Sequence, residues 1–567
     1  MTDLRHTAAL LFALALAACS GEDNPGKHRP ADAASDAPMT VFTGGVIYTG
    51  LDDAPTAEAV AVADGIILGV GTRALIEDSA GDNATIIDLD GAAMYPGFTD
   101  AHAHFLGIGM RELTLNLEAV GSIDELVAVL AETIQNTEQG ETVYGRGWIE
   151  TGWPEARMPT RDDLDPASPD NPVILRRADD HALVVNSAAL EAAGINDATP
   201  DPDGGRIERD ETGRATGMLI DNAQNLVVAL IKAPGEKTKR QAYATASNIY
   251  AAYGWTGLHN MSVAPANTET IAALSEDGVV DIRVYNSIDQ SGLNALVANG
   301  PQASKNGRIL TRAVKLYMDG ALGSRGALLS APYSDRPKTS GLALMHHEEA
   351  LDLFNRALVG GVQVNTHAIG DEANALLLDW YAEAFAANPD AADLRWRIEH
   401  AQILHTEDIK RFADLSVIAS MQPSHAIGDL YFAPDRLGPN RLDGAYAWRS
   451  LIDAGVIIAA GSDAPVERGD PLIEFYAAVA RRGLDGTQTE DWRPGEAVTR
   501  QEALKMFTLW PAYAAFQEQS LGTIEPGKRA DFTVFSKDIM TVPEAQILTA
   551  KPVMTVVDGE IVYRAEK

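Results

Sequence analysis

The chain has 567 residues, too many for one compact core, and its 80 acidic against 45 basic residues give a formal net charge of −35. That acidic balance argues against nucleic acid or an anionic membrane surface as a partner, since both reward lysine and arginine. An apolar fraction of 46% is ordinary for a soluble globular protein, and the single cysteine excludes an intrachain disulfide and a thiolate metal site.

The N-terminal "MTDLRHTAALLFALALAACSG" has a short polar start with Arg5 and an apolar run from Ala8 to Ala18. The run is well short of the ~20 residues that span a bilayer, so it reads as a secretory signal rather than a membrane helix. Leu16-Ala17-Ala18-Cys19 resembles a bacterial lipobox, which implies cleavage before Cys19 and a lipid on its thiol. Ser20 follows where Asp would favour inner-membrane retention, so the expected location is the outer membrane, facing the periplasm or the exterior. Residues 20–38 are small, polar and proline-containing, as in a flexible tether.

Residues 39–94 are short apolar or alternating runs broken by Gly and Asp, the texture of strands and turns, and residues 516–567 repeat it. Two such segments at opposite ends predict a small β-sandwich domain built from both termini. Between them, residues 95–515 alternate strand-like runs with helical ones. The runs are "AAMYPGFTDAHAH", then 254–260, 279–286, 313–320, 361–370, 394–402, 415–423 and 455–463. Helical stretches include "KTKRQAYATASNIYAAYG" and "DEANALLLDWYAEAFA". Eight strands alternating with helices predict an α/β fold, a (β/α)8 TIM-like barrel. From His104 to the second strand run the gap is far longer than the ~30 residues of a βα unit, so residues 110–235 are read as an inserted subdomain. "DPDGGRIERDETGRATGML" within it reads as a β hairpin.

Strand side chains alternate faces, so His102 and His104 project to one side. Lys315, His367, His400 and Asp463 fall near the ends of the fourth, fifth, sixth and eighth predicted strands. A barrel gathers its functional side chains at those C-terminal ends. Four histidines and a carboxylate in that order suit zinc or another borderline divalent cation.

The motifs "YPGFTDAHAHF", "KLYMDGALGSRGALL", "VNTHAIGD", "RIEHAQ", "SMQPSH", "GSDAPV" and "GTIEPGKRADFTVF" resemble the amidohydrolase superfamily, in its family 3 or YtcJ-like branch, over roughly residues 40–565. The resemblance implies two divalent metal ions, with zinc expected and manganese, iron or cobalt as alternatives. His102, His104 and Asp463 would hold one ion, and His367 and His400 the other. Lys315 would bridge them after carboxylation by carbon dioxide, because a plain ammonium repels a dication. Bound metal lowers the pKa of water toward ~7, and Asp463 would pass the water's proton to a leaving amine. Asp319 and Arg325 beyond Lys315, Gln422 and His425 beyond strand seven, and His181 in the insertion are candidate substrate contacts. His259 is read as a core residue.

The expected activity is metal-dependent hydrolysis of a non-peptide carbon–nitrogen bond, as in N-acyl or N-formyl amines. Opening of a cyclic amide and deamination use the same site. An exopeptidase would need Arg176, Arg177 and Arg325 to grip a charged terminus, and a binding lipoprotein would have lost turnover. Expected partners are a small-molecule substrate, the membrane through the lipid on Cys19, and a second copy of the chain in a homo-oligomer.

Overall fold

The computed structural model describes residues 38–566 apart from 119, 151–152, 179–181, 203–204, 392 and 490–491. Cys19 and the leader, like His181, lie outside the described residues. No helix among the described residues is long and apolar enough to cross a membrane.

Five strands open the described chain: β1 (Thr40–Tyr48), β2 (Thr56–Ala63), β3 (Ile66–Gly71), β4 (Thr85–Asp88) and β5 (Ala93–Pro96). β1 to β3 form an antiparallel meander, while β4 and β5 lie parallel to β1. β6 (Phe98–Ala103) then enters the barrel. A mixed six-stranded sheet follows, made of β7 (Leu115–Asn116), β8 (Val143–Trp148), β9 (Val173–Arg177), β10 (Ala182–Val185), β11 (Gly205–Arg209) and β12 (Ala215–Asp221). Its β11–β12 pair is the hairpin expected from "DPDGGRIERDETGRATGML". Trp148, Leu175 and Val184 on one face and Ile174, Leu183 and Leu219 on the other are all buried, so helices cover both sides of this insertion.

The chain returns to the barrel through β13 (Trp255–Val263) and β14 (Arg283–Ile288), then the short β15 (Gln302–Ala303), which pairs antiparallel with β16 (Ile309–Tyr317). β17 (Gln363–Ala368), β18 (Arg397–His400), β19 (Ile418–Met421) and β20 (Ile458–Ala460) complete the set. In the order β6-β13-β14-β16-β17-β18-β19-β20 the eight strands pair parallel, each near a run expected from sequence. They are buried on both faces, which is why they read as near-continuous apolar runs. The helix Glu236–Tyr253 stops at Gly254, whose φ of +102° is a left-handed cap that costs an L side chain strain, and Trp255 begins the next strand. The helix Asp371–Ala387 buries Ala373, Leu377, Tyr381 and Ala384, the helical-period stripe that seats it on the barrel.

No ladder joins β20 to β6. Two backbone bonds just beyond β20 close the ring instead, Asp463 N–H to His102 C=O and His104 N–H to Ala464 C=O, both 2.7 Å. Buried Asp100 reinforces this seam, accepting from Ser462 N–H (2.9 Å), His102 N–H (3.1 Å) and Tyr250 O–H (2.9 Å). Gly461 is required by proximity, because a Cβ there would stand 2.3 Å from His102 N.

β21 (Phe532–Phe535), β22 (Pro552–Val557) and β23 (Glu560–Arg564) add to β5, so strands from both ends of the chain form one continuous eight-stranded sheet. It curls around Phe42, Val60, Met94, Phe532 and Val556, and Phe42 and Phe532 meet edge to face with centroids 5.3 Å apart. Arg283 of β14 clamps it to the barrel with a bidentate pair to Asp531 (2.6 and 2.9 Å) and a bond to Asp558. All three side chains are nearly buried, so removing one charge strands another.

Candidate metal centre

Four imidazoles at the mouth of the barrel each have one nitrogen spoken for. His102 Nδ1 lies 2.6 Å from Glu399 Oε2, His104 Nδ1 3.3 Å from Met261 C=O, and His400 Nδ1 2.7 Å from Gln422 Oε1. Those partners assign the proton to Nδ1 and leave Nε2 as the free lone pair. His367 is the other way round, with Nε2 3.4 Å from Gly320 C=O, leaving Nδ1. The rings crowd together, with centroids 4.5 Å apart for His367–His400 and 4.8 Å for His102–His400. Burial holds His102 and His400 below the usual histidine range and His367 at about 3, with the nearby Lys315 charge adding to the effect, so these rings are neutral donors.

Asp463 is the shared point. Its Oδ1 stands 3.1 Å from His104 Nε2 and 3.4 Å from His102 Nε2, yet it is buried with no hydrogen-bond partner. His400 and Asp463 adopt φ of +73° and +60°, left-handed backbone that costs roughly 1–3 kcal/mol each and aims strand-end side chains inward.

A residue that sequence reasoning missed supports this cluster from below. Glu399 of β18 is fully buried, pairs with Arg397 Nε at 2.8 Å and holds His102. Burial works against its charge, but Arg397 and His102 bring its pKa down to about 2. Arg397 in turn donates to Ala101 C=O (2.7 Å), Ser420 Oγ (2.7 Å) and His259 Nδ1 (2.8 Å). His259 is thus a buried acceptor beneath the site, as its core reading anticipated. The only sequence signal was an acid two residues from an arginine on one strand, the spacing that puts both side chains on one face.

The other sequence candidates divide. Lys315 of β16 is 1% exposed, with Nζ 4.0 Å from the Tyr317 ring, which itself lies 5.6 Å from the His367 ring. His425 stacks 6.0 Å from His400, with Nε2 3.8 Å from Asp463 Oδ2 and no hydrogen-bond partner. Gln422 is engaged by His400 and so orients a ring rather than facing substrate. Asp319 also departs from the substrate-contact expectation. Its two oxygens accept from Leu328, Ile369 and Gly370 N–H at 2.8–2.9 Å, which locks the loops after β16 and β17 together. Asp319→Asn turns an acceptor into a donor facing an N–H, and the expected loss is about 2–3 kcal/mol in a urea unfolding curve. An unchanged midpoint would remove this anchoring role.

Arg325 forms a bidentate pair with Asp335 (2.7 and 3.1 Å), and Arg177 pairs with Glu150 (2.8 and 3.1 Å). Arg325 and Arg177, which an exopeptidase reading requires to grip a charged terminus, are therefore already engaged.

The donor set fits a divalent cation. His102, His104 and Asp463 offer ligand atoms within 4.8 Å of one another, as do His400, His425 and Asp463. Neutral imidazoles and an unpartnered buried carboxylate oxygen are what such an ion takes.

A (β/α)8 barrel bearing this donor set at its strand ends defines a hydrolase of the amidohydrolase class. The chain belongs to the amidohydrolase family, whose profile matches residues 85–563. It is 35% identical to the putative amidohydrolase YtcJ of Bacillus subtilis over 92% of this chain and 99% of that one. It is 31% identical to the N-substituted formamide deformylase of Arthrobacter pascens, over 89% and 95%. Among solved structures, an uncharacterized metal-dependent hydrolase from Pyrococcus horikoshii superposes with a TM-score of 0.74 at 27% identity, covering 89% of this chain and 99% of that one.

Proposed function

We propose that this protein hydrolyses a non-peptide carbon–nitrogen bond of the N-formyl or N-acyl amine type, with Asp463 carrying the proton. The observation that carries the reading is Asp463 Oδ1, buried, unpartnered and faced by two imidazole lone pairs. The bond type is supported by the likeness to the N-substituted formamide deformylase.

In this reading His102, His104 and Asp463 would hold one divalent ion, and His367 and His400 a second. Lys315, once carboxylated by carbon dioxide, would serve both as a ligand; its burial near imidazoles supports the carbamate, since an ammonium there would repel any dication. Zinc suits this nitrogen–oxygen set, with manganese, iron or cobalt as alternatives. Bound there, the ions acidify water and polarise the substrate carbonyl. Asp463, with its unpartnered Oδ1 facing the two imidazoles, would accept the water's proton and return it to the leaving nitrogen. The carbon–nitrogen bond then breaks with the amine departing neutral and the acyl half leaving as a carboxylic acid, whose remaining proton is lost to solvent. His425 stands beside the same carboxylate with a free Nε2, placed to donate to the substrate.

The test is amine release, read by mass spectrometry, from a panel of N-formyl, N-acetyl and N-acylamino-acid compounds, with zinc or manganese and bicarbonate supplied. Release that a chelator abolishes is expected. A metal-loaded protein that releases amine from none of them overturns the reading in favour of cyclic amides or deamination. The location is part of the proposal: the Leu16–Cys19 tetrapeptide supports export and a lipid anchor in the outer membrane. Incorporation of labelled palmitate, lost in Cys19→Ser, is the expected result.

A further inference from the structure

We propose that a cavity beside His425 receives a positively charged group, an ammonium or guanidinium on an apolar spacer, carried by the amine half of the substrate. This rests on the reading of the site as one that cleaves N-acyl amines; in a formamide the acyl half has no room for such a group.

The cavity measures about 400 Å³, within the range of small-molecule pockets. Its walls are Ile427 and Ile473, and Tyr431 and Leu484, each 54% exposed, form its mouth. The inner end is different in kind, with Ser424, Glu467 and Glu474. Glu474, on the helix Pro471–Ala480, is 1% exposed. One of its oxygens accepts the Ser424 N–H at 3.0 Å, but the other oxygen and the Ser424 hydroxyl have no partner. Glu467 faces His425, with Oε1 3.9 Å from its Nε2, which places this end of the cavity against the metal centre. Arg468 is the cation on the wall, and its side chain is engaged by Tyr253.

Two carboxyl groups thus share one end of the cavity, Glu474 buried and Glu467 about one-third exposed, and Arg468 is the cation among its described lining residues. Such an arrangement costs free energy until a cation or a proton relieves it. Burial, with Glu467 nearby, pushes the Glu474 carboxyl well above the ordinary range, as expected of a group short of a positive partner. Ser424 and Glu474 have acceptors to spare for an ammonium, and the apolar walls suit the carbon chain behind it. The net charge of −35 also favours the approach of a cation.

The probes are pentane-1,5-diamine and pentan-1-amine, titrated calorimetrically into the full-length, metal-loaded protein at about 0.15 M salt, where long-range attraction is screened. The diamine is expected to bind about tenfold more tightly, the worth of one charge-assisted contact. The advantage should vanish in the Glu467→Gln/Glu474→Gln protein. It should vanish also in Ile473→Trp, which fills the cavity and leaves both carboxylates. An advantage below about threefold in the wild-type protein, or one that survives both variants, overturns the proposal; the wild-type comparison decides alone if a variant fails to fold. Hydrolysis of the N-formyl derivatives of the two amines is measured in parallel. Equal cleavage with no binding preference leaves the hydrolase reading and removes the cavity's role. Preferential binding with no cleavage of either does the reverse.

Discussion

Asp463→Asn is expected to lower kcat by about 10²–10⁴-fold while the barrel stays folded. Asparagine keeps the side chain's shape and one ligand oxygen but cannot take a proton from water and return it to nitrogen. The backbone seam should persist, because Asp463 N–H, not its side chain, bonds His102 C=O. Circular dichroism and the urea midpoint verify the fold, and metal analysis verifies the site. A variant within tenfold of wild-type kcat with its metal in place would take the proton-carrying role away from Asp463.

The second large effect belongs to Glu399. Glu399→Leu leaves the Arg397 guanidinium buried and unpaired, and the expected loss is about 3–5 kcal/mol. Glu399→Gln keeps the volume but withdraws the charge that fixes the His102 proton on Nδ1, and metal affinity should fall about 10–100-fold. Both follow from Glu399 being completely buried between Arg397 and His102. The sign with pH is fixed by its pKa of about 2, below the ordinary 4.5. A depressed carboxyl contributes fully above 4.5 and loses that contribution as pH falls toward 2. The stability gap between wild type and Glu399→Gln should therefore close over that interval. Should Glu399→Leu keep both its metal and its midpoint, the pair would be mere filling.

The barrel was legible because a parallel sheet covered on both faces leaves an unmistakable trace. The run "VIIAAGSD" is apolar almost to its end and finishes on a ligand-type residue, and "VQVNTHAIG" carries its histidine near the strand end. The helices at 236–253 and 371–387 were legible from their period. What sequence could not convey was partnership. Asp319 and Gln422 stand beside the motifs in sequence, and only the folded chain reveals that one is held by three backbone amides and the other by His400. Glu399 was invisible for the converse reason. It adjoins His400 in sequence, yet the ring it steadies is His102, 297 residues away. The small terminal sheet was readable as strands from both ends, but not as one continuous sheet, since register depends on β5 meeting β21 across the whole barrel.

The seam between β20 and β6 bears on how the molecule comes into being. His102 and His104 leave the ribosome early, whereas the carboxylate that faces them and the two amide bonds that close the ring arrive only with residues 463 and 464. A nascent chain ending before Ile458 has seven strands of the barrel and an open edge beside its first histidines. No fragment ending before Asp463 contains the carboxylate that His102 and His104 face, so the candidate site is completed only when the residues that close the ring have been made. The final three strands, which finish the sheet begun by Thr40–Tyr48, come later still. The strands that complete the terminal sheet are thus made after every strand of the barrel.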